Sequence, residues 1–519
     1  FPHGLLLEAG GIIWKDGTAQ NYGRTDDPNR PEYNYLREVD YVSGACIMIP
    51  RELFERLEKF DPNYAPAYYE DTDLAFKVRT HGKKVLYQPN SVVIHYEGIT
   101  SGTDIAQGIK NYQIINQTKF YNKWKTVLAR HAERGTSIEI EKERNIKKRI
   151  LVIDECICLP DQDSGSLRMW NMLQIIREMG CKITFYPDNH YFPEPYVSNM
   201  KSLGIEILNN TYIGNIENYL EQNGLLFDSV IVSRLNVARK YIDPVKAYCT
   251  HAKIIFDTVD LHFLREQREA ELKADPALIC EAQQTKKNEL SIASKSDITL
   301  VVSPEEKKII EREDPEIVVK VLSNIHRVFG SQTPFHERND LLFIGGFRHL
   351  PNVDAMIYFV TDIFPLIRKR LPGIKINIVG SNPPPELLVL SANDVIITGF
   401  VKDIEPYVNR CRLSVAPLRW GAGVKGKINL SMSYGLPIVA TPIAVEGMYL
   451  TDGENVLIAS DAREFASAVV RLYENEMLWN KLSLNSLENI CKYFSFEVAR
   501  ETLQSILNEN VFDYVKTTH

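Results

Sequence analysis

Between Leu413 and Thr441 the chain reads LSVAPLRWGAGVKGKINLSMSYGLPIVAT, and Gly421, Gly423 and Gly426 are interleaved there with Lys425 and Lys427. Glycines let backbone N–H groups approach an anion closely, and lysines neutralise it as flexible point charges. An apolar run precedes this loop and a helical pattern follows it. That strand, turn and helix layout turns free N–H groups toward a phosphate, so the chemistry expected is recognition of a nucleotide-linked substrate. A glycine-rich turn before a helix is also ordinary turn chemistry.

The elements that position this loop are legible as short apolar runs alternating with helical patterns, which implies parallel sheets with crossover helices. One series has strands at Arg149 to Asp154, Lys182 to Tyr186, Ser229 to Val232, Lys253 to Asp257 and Ile298 to Val302, with a helix from Leu167 to Glu178. A second runs through Leu341 to Gly345, Ile374 to Val379, Val395 to Thr398, Leu413 to Ala416, Pro437 to Ala440 and Val456 to Ile458. Two such domains in tandem predict a twin Rossmann-like α/β arrangement with ligand between the facing strand ends. We expect one domain over 149–325 and a second, donor-binding domain with terminal helices over 326–519. Residues 132–148, rich in Glu, Lys and Arg with little apolar pattern, read as a charged, solvated linker. Residues 1–131 read differently, with short strand-like runs at Tyr41 to Ile49 and Lys84 to Tyr87 and a long helix from about Ile105 to Arg130.

The 519 residues, 44% hydrophobic and 24% charged, suit about three packed domains of ordinary globular composition. A formal net charge of -7 argues against wholesale nucleic-acid binding. The eight cysteines include no C-x-x-C pair, so neither a zinc ribbon nor a disulfide scaffold is suggested, and reduced thiols in a cytosolic enzyme are the simplest account. No run of about eighteen apolar residues and no signal-peptide pattern stand out, so no membrane crossing is expected. The chain opens at Phe1 and in mid-motif, which leads us to expect a piece of a longer polypeptide.

The segment Pro417, Leu418, Arg419, Gly421 to Lys427 and Gly435 to Thr441 resembles the donor-binding region of family 4 glycosyltransferases, retaining enzymes of the GT-B fold. Where that family commonly places a glutamate for the nucleotide ribose, this chain has Leu430, which cannot accept a hydrogen bond. Glu446 is the candidate substitute, and it is also readable as a solvated loop carboxylate. The run Asp163-Ser164-Gly165-Ser166, with Arg168 following, resembles the family's glycine loop facing donor phosphate and acceptor; an N-capping turn without ligand is the alternative. Asp257-Thr258-Val259-Asp260-Leu261-His262 resembles the segment whose histidine or aspartate lies near the reacting sugar. By this resemblance His262 and Asp260 are the catalytic candidates, with Arg265 and Arg268 nearby, and a structural imidazole is the alternative. Many members carry a Gly-Arg and a later lysine gripping the pyrophosphate; here Gly346 and Pro351 stand at those places, and Arg348 and Lys425 are the surrogates. Val379-Gly380-Ser381 and Thr398-Gly399-Phe400-Val401 resemble the loops that line the base.

Farther toward the N-terminus, Tyr41 to Cys46, Tyr69 to Arg79 and Ile94 to Gly98 resemble, in order and spacing, the second half of family 2 glycosyltransferases of the GT-A fold. The resemblance implies Asp71 as the general base toward an acceptor hydroxyl and His95 as a metal ligand in an intact GT-A domain. A helix N-terminus that favours Glu70 and Asp73, and a core histidine, are the bland alternatives. Nucleotide-binding strands and a metal-holding Asp-x-Asp do not precede this constellation, so the GT-A part is expected to be inactive as it stands. Asp71-Thr72-Asp73 matches those letters but falls on the acceptor side.

Together these resemblances imply a partial GT-A domain before a GT-B module, transferring a sugar from a nucleotide-diphosphate donor to a bacterial surface polysaccharide or other glycan, with retention. Donor and phosphate contacts are expected from Gly165, Ser166, Arg348, Gly423, Lys425, Lys427 and Glu446. No cofactor is expected for the GT-B module, and Mg2+ or Mn2+ only for a complete GT-A domain. The expected partners are the nucleotide sugar and a glycan or lipid-linked acceptor, with no nucleic acid. A cytoplasmic location is expected, with peripheral contact at the inner membrane face as an option; for the helix near Trp124, which carries Lys119, Lys123 and Lys125, amphipathic packing on the GT-A part is favoured over a place on the membrane. A degenerate carbohydrate-binding or scaffold module, and a nucleotide-sugar epimerase, are the rival readings.

Overall fold

A computed structural model describes residues 4–96 and 111–508. Contacts divide the chain into two compact units. One comprises Phe1–Arg149 with Gly180–Phe185 and Pro193–Ile216, and the other Ile150–Met179, Tyr186–Phe192 and Glu217–His519.

The second unit holds two parallel sheets. In one, the strands Val319–Val321, Ile298–Val301, Lys253–Asp257, Ser229–Ser233 and Arg149–Asp154 lie side by side in that order. Val319–Val321 is an edge strand beyond those expected from the sequence. The other sheet orders Val395–Gly399, Ile376–Val379, Asn339–Ile344, Cys411–Ala416, Ile438–Ala440 and Leu457–Ile458, all parallel. Central strands such as Lys253–Asp257 and Ser229–Ser233 are buried at every position because helices cover both faces, and so residues 254–256 and 230–232 read as continuous apolar runs rather than alternating ones. We call the two sheets with their helices the first and second lobe. The final helix, Phe496–Asn508, returns to the first lobe. There Arg500 ion-pairs with Glu178, and the Lys253 ammonium donates to the Ile506 carbonyl at 2.7 Å.

One helical run among the described residues, Leu350–Arg370, is long and apolar enough to cross a membrane, which the sequence reading did not anticipate. Half of its apolar window is buried, and Met356, Phe359, Ile363 and Ile367 sit in the second-lobe core.

The first unit is built on short strands. Gly11–Ile13 pairs antiparallel with Ala19–Asn21, Arg37–Glu38 with Leu86–Tyr87, and Ile183 to Phe185 runs parallel to Ile205 to Ile207. Tyr41 to Ile49, expected as strand-like, makes only an isolated bridge at Tyr41 and then turns. The long helix is described over Asn111–Leu128; its expected start near Ile105 lies outside the described residues, as do Glu97 and Gly98. Lys123 ion-pairs with Asp61 and Asp73, Lys119 donates to the Asn63 carbonyl, and the Trp124 indole donates to Asp73, so these groups are tied to the unit's own core.

Residues 132–148 depart from the expected solvated linker. They contain the short helix Ile138–Glu141, and Lys142 and Glu143 are buried. Glu143 ion-pairs with Lys182 and accepts from the Tyr35 hydroxyl at 2.9 Å. Burial works to raise the Glu143 carboxyl, but Lys182, Lys142 and Arg37 outweigh it and hold it down at about 2. Charge density suggested solvent because the sequence does not show which distant residue supplies the counter-charge.

Candidate functional site

In the first lobe the strand Arg149–Asp154 feeds the helix Ser164–Glu178, whose N-cap, Asp163, accepts from the Ser166 N–H at 2.8 Å. Gly165 sits where a Cβ would lie 3.2 Å from an Arg234 nitrogen and 3.3 Å from Val259. Ser166 is buried, and its Oγ has no hydrogen-bond partner among the described residues. Arg168 is spent on the fold: its guanidinium binds Asp257 at 2.8 Å and the Leu322 carbonyl at 2.9 Å.

After the strand Lys253–Asp257 the backbone turns at Val259 with φ of 66°, a left-handed conformation that costs a β-branched residue about 1–3 kcal/mol. Asp260 follows immediately, and His262 opens the helix His262–Lys273. Asp260 ion-pairs with Arg265. The His262 Nδ1 lies 3.7 Å from the Asp260 carboxylate and 3.8 Å from Glu289. Burial pushes Asp260 up, but Arg265, His262 and His349 together hold it below the ordinary carboxylate range. Burial likewise lowers His262, which favours a neutral imidazole able both to donate and to accept a hydrogen bond.

The second-lobe loop lies directly against these residues. Gly423 has φ of 70°, and a Cβ there would come 3.0 Å from the Asp260 Cβ. A Cβ on Gly426, the first residue of the helix Gly426–Ser433, would come 2.5 Å from the Ser164 Cβ. The glycines therefore let the lobes meet backbone to side chain, as an anion-recognising loop also requires.

Lys425 is 7% exposed, and its ammonium donates to the carbonyls of Ala422 and Gly423. Burial lowers it to about 8, against the pull of Glu446 and Glu306. Lys427 donates to the Asn352 side chain and lies over the Phe343 ring; burial and the Lys425 charge bring it down to about 7. Both carboxylate oxygens of Glu446 are engaged by Arg268, at 2.6 and 2.8 Å. Arg348 is exposed. Leu430 packs with Leu342, Val379, Val408 and Leu436, so the position that would hold a ribose carboxylate in the resemblance is part of an apolar cluster.

Asp260, His262, Gly423, Lys425 and Glu446 thus form one cluster, with Gly165 and Ser166 reached through the Ser164 to Gly426 contact. Two buried carboxylates that the sequence reading missed complete it. Glu306 accepts from the Leu261 and Val302 N–H groups at 3.3 and 3.1 Å, and burial raises it to about 7. Glu289 accepts from His262 and Phe263 at 3.3 and 3.1 Å, and burial raises it to about 8. Ser303-Pro304-Glu305-Glu306 reads as a capping box, so a helix start was legible there, but nothing marked Glu306 as a neighbour of Lys425. Glu289 lies mid-helix and carries no local signal at all.

Asp71 and His95 belong to the first unit. The Asp71 carboxylate accepts from the Gly44 N–H at 2.7 Å and the Thr72 N–H at 2.6 Å. Burial raises neighbouring Glu8 to about 6, with the Asp71 charge adding to the shift. His95 is exposed, and among the described residues no group of three or more His, Cys, Asp or Glu side chains is placed to hold a metal ion.

Residues 338–475 match the family described as "Glycosyl transferases group 1". Among curated proteins, the chain is 26% identical over 181 residues to an uncharacterized 44.6 kDa protein of the Klebsiella pneumoniae cps region, covering 33% of this chain and 46% of that protein. It is also 33% identical over 70 residues to an N-acetylglucosaminyl-diphospho-decaprenol L-rhamnosyltransferase of Mycobacterium tuberculosis, covering 14% of this chain and 22% of that one. The chain thus spans less than half the length of these curated relatives. Among solved structures, a sucrose-phosphate synthase from Thermosynechococcus elongatus aligns with TM-score 0.54 and 13% identity, over 69% of this chain and 98% of that one. TarM aligns with TM-score 0.56 and 12% identity, over 70% and 99%. HepE from Anabaena, solved with UDP and glucose, aligns with TM-score 0.53 and 12% identity, over 69% and 99%. At such identity the likeness establishes the fold. Residues 338–475 thus match a glycosyl transferase family, and the two parallel α/β lobes share the GT-B fold of these solved structures.

Proposed function

We propose that this protein transfers a sugar from a nucleoside-diphosphate sugar to a glycan acceptor in bacterial surface-polysaccharide synthesis, with retention of anomeric configuration. The observation that carries the reading is the glycine loop with Lys425, inside the matched domain and pressed against Asp260 of the opposite lobe. Relatives support it: one is a cps-region protein, one is named a rhamnosyltransferase, and HepE was solved with UDP.

In the reaction the bond from the anomeric carbon to the β-phosphate oxygen breaks, and its electron pair leaves with the diphosphate. The acceptor oxygen bonds to the same face of that carbon, and its proton passes to the departing phosphate oxygen. Backbone N–H groups around Gly423, with Lys425, Lys427 and Arg348, stabilise the growing diphosphate charge, the largest contribution such a site makes. His262 holds a sugar hydroxyl, and Asp260 orients it. Gly165 and Ser166 face the phosphate and acceptor from the first lobe, and Glu446 stands in for the ribose carboxylate. Under the same reading residues 1–131 are the acceptor half of a GT-A domain with Asp71 as its base, and His95 gains a metal role only when that domain is complete. The protein works at the cytoplasmic face, where nucleotide sugars are made and a lipid-linked acceptor can be presented.

A second reading, a degenerate carbohydrate-binding or scaffold module, is favoured by one observation: Leu430 is built into the apolar cluster, leaving that position without a ribose acceptor. Calorimetric titration with UDP, GDP and dTDP sugars separates the two. Binding of one nucleotide series by the wild type, lost in Lys425→Ala, is expected; a wild type that binds none of them is a scaffold.

A further inference from the structure

Arg268 is two turns into the helix that His262 opens, and among the described residues its guanidinium makes three hydrogen bonds, all to the second lobe. It grips both oxygens of Glu446, at 2.6 and 2.8 Å, and its Nη1 also donates to the Gly421 carbonyl at 2.7 Å. Gly421 and Glu446 lie on separate loops, following the adjacent parallel strands Cys411–Ala416 and Ile438–Ala440. One side chain therefore fastens the start of the lysine-bearing loop, the loop after the next strand, and the His262 helix to one another. Close contacts flank the fastening: a Cβ on Gly447 would lie 2.5 Å from the Ser303 Cβ, just as one on Gly423 would meet Asp260. The Arg268 side chain is 17% exposed and that of Glu446 33%, so water screens the pair only in part.

The geometry points to Arg268 as a positioning residue that holds the Gly421–Lys427 loop in register with His262, using Glu446 as its anchor. It acts through the loop and touches no substrate. The forked, two-point contact is what fixes angle as well as distance, and a lysine at this position would keep the charge while losing the fork. The assignment also gives Glu446 an occupation beyond the ribose. It rests on the proposed donor role of the loop, but the fastening itself is measurable without any nucleotide.

The test compares wild type with Arg268→Lys, Glu446→Gln and the double variant. Amide hydrogen exchange over residues 419–427, in the absence of nucleotide, is expected to quicken at least tenfold in each single variant and no further in the double. With UDP, GDP or dTDP sugar, whichever the wild type uses, kcat should fall at least tenfold in Arg268→Lys while its melting temperature stays within about two degrees. Unchanged exchange in Arg268→Lys, or single effects that simply add in the double variant, overturns the assignment. A kcat that holds while only KM rises would make Arg268 a direct donor ligand and also overturns it. A wild type that binds no nucleotide sugar sinks the proposed function instead, with the exchange experiment still deciding whether Arg268 fastens the loop.

Discussion

Gly426→Ala tests how closely the two lobes must meet. The added Cβ would lie 2.5 Å from the Ser164 Cβ and 3.2 Å from its Oγ, whereas carbon atoms pack at about 3.5–4.0 Å. Something must therefore move by about 1 Å, and the groups that would have to give are backbone-anchored on both sides. Overpacking of this kind costs about 1–3 kcal/mol. Alanine gains up to about 1 kcal/mol over glycine inside a helix, but Gly426 is the first helical residue, so the gain is smaller and the clash wins. We expect the melting temperature to drop by a few degrees, or the lobes to part, and donor binding to weaken in either case. Calorimetric unfolding reads the first, small-angle scattering the second, and nucleotide titration the third. Ser164→Gly in the same chain removes the atoms that Cβ strikes and should restore stability. Gly426→Ala at wild-type stability and affinity, or a double variant no better than the single, would refute the close-contact argument.

Other outcomes follow from the buried charges. Burial holds Lys425 and Lys427 down at about 8 and about 7, and a bound diphosphate would raise both, so donor binding should take up protons near pH 8 and weaken as pH rises; calorimetry in buffers of different ionisation enthalpy measures this, and zero proton uptake contradicts it. Glu289, raised to about 8, favours folding at low pH and loses that contribution as pH climbs from its unfolded value toward 8. Glu289→Gln should therefore gain on wild type by about 1.4 kcal/mol per pH unit across that window; denaturant curves at pH 5 and pH 9 that shift in parallel would be inconsistent with this. Leu430→Glu places a carboxyl against an apolar cluster, which lowers stability and favours its neutral form, yet should tighten nucleotide binding if the ribose lies there; unchanged affinity by titration would place the ribose elsewhere.

What the sequence determined alone was local. Continuous apolar runs such as residues 254–256 and 230–232 announced strands covered on both faces, because a parallel sheet wrapped by helices leaves no polar side to alternate with. The glycine and lysine spacing of residues 421–427 announced an anion loop, because backbone approach and flexible charge are properties of those residue types wherever they occur. Tertiary structure decided which charges face one another. Nothing near Glu289 or Glu306 in the chain signalled proximity to His262 or Lys425, nothing near Arg268 signalled its contact with Glu446, and the run 132–148 looked solvated until Lys182, far along the chain, proved to be the partner of Glu143. A buried charge is tolerated only beside its counter-charge, and that neighbour is supplied by the fold rather than by the neighbouring residue in sequence.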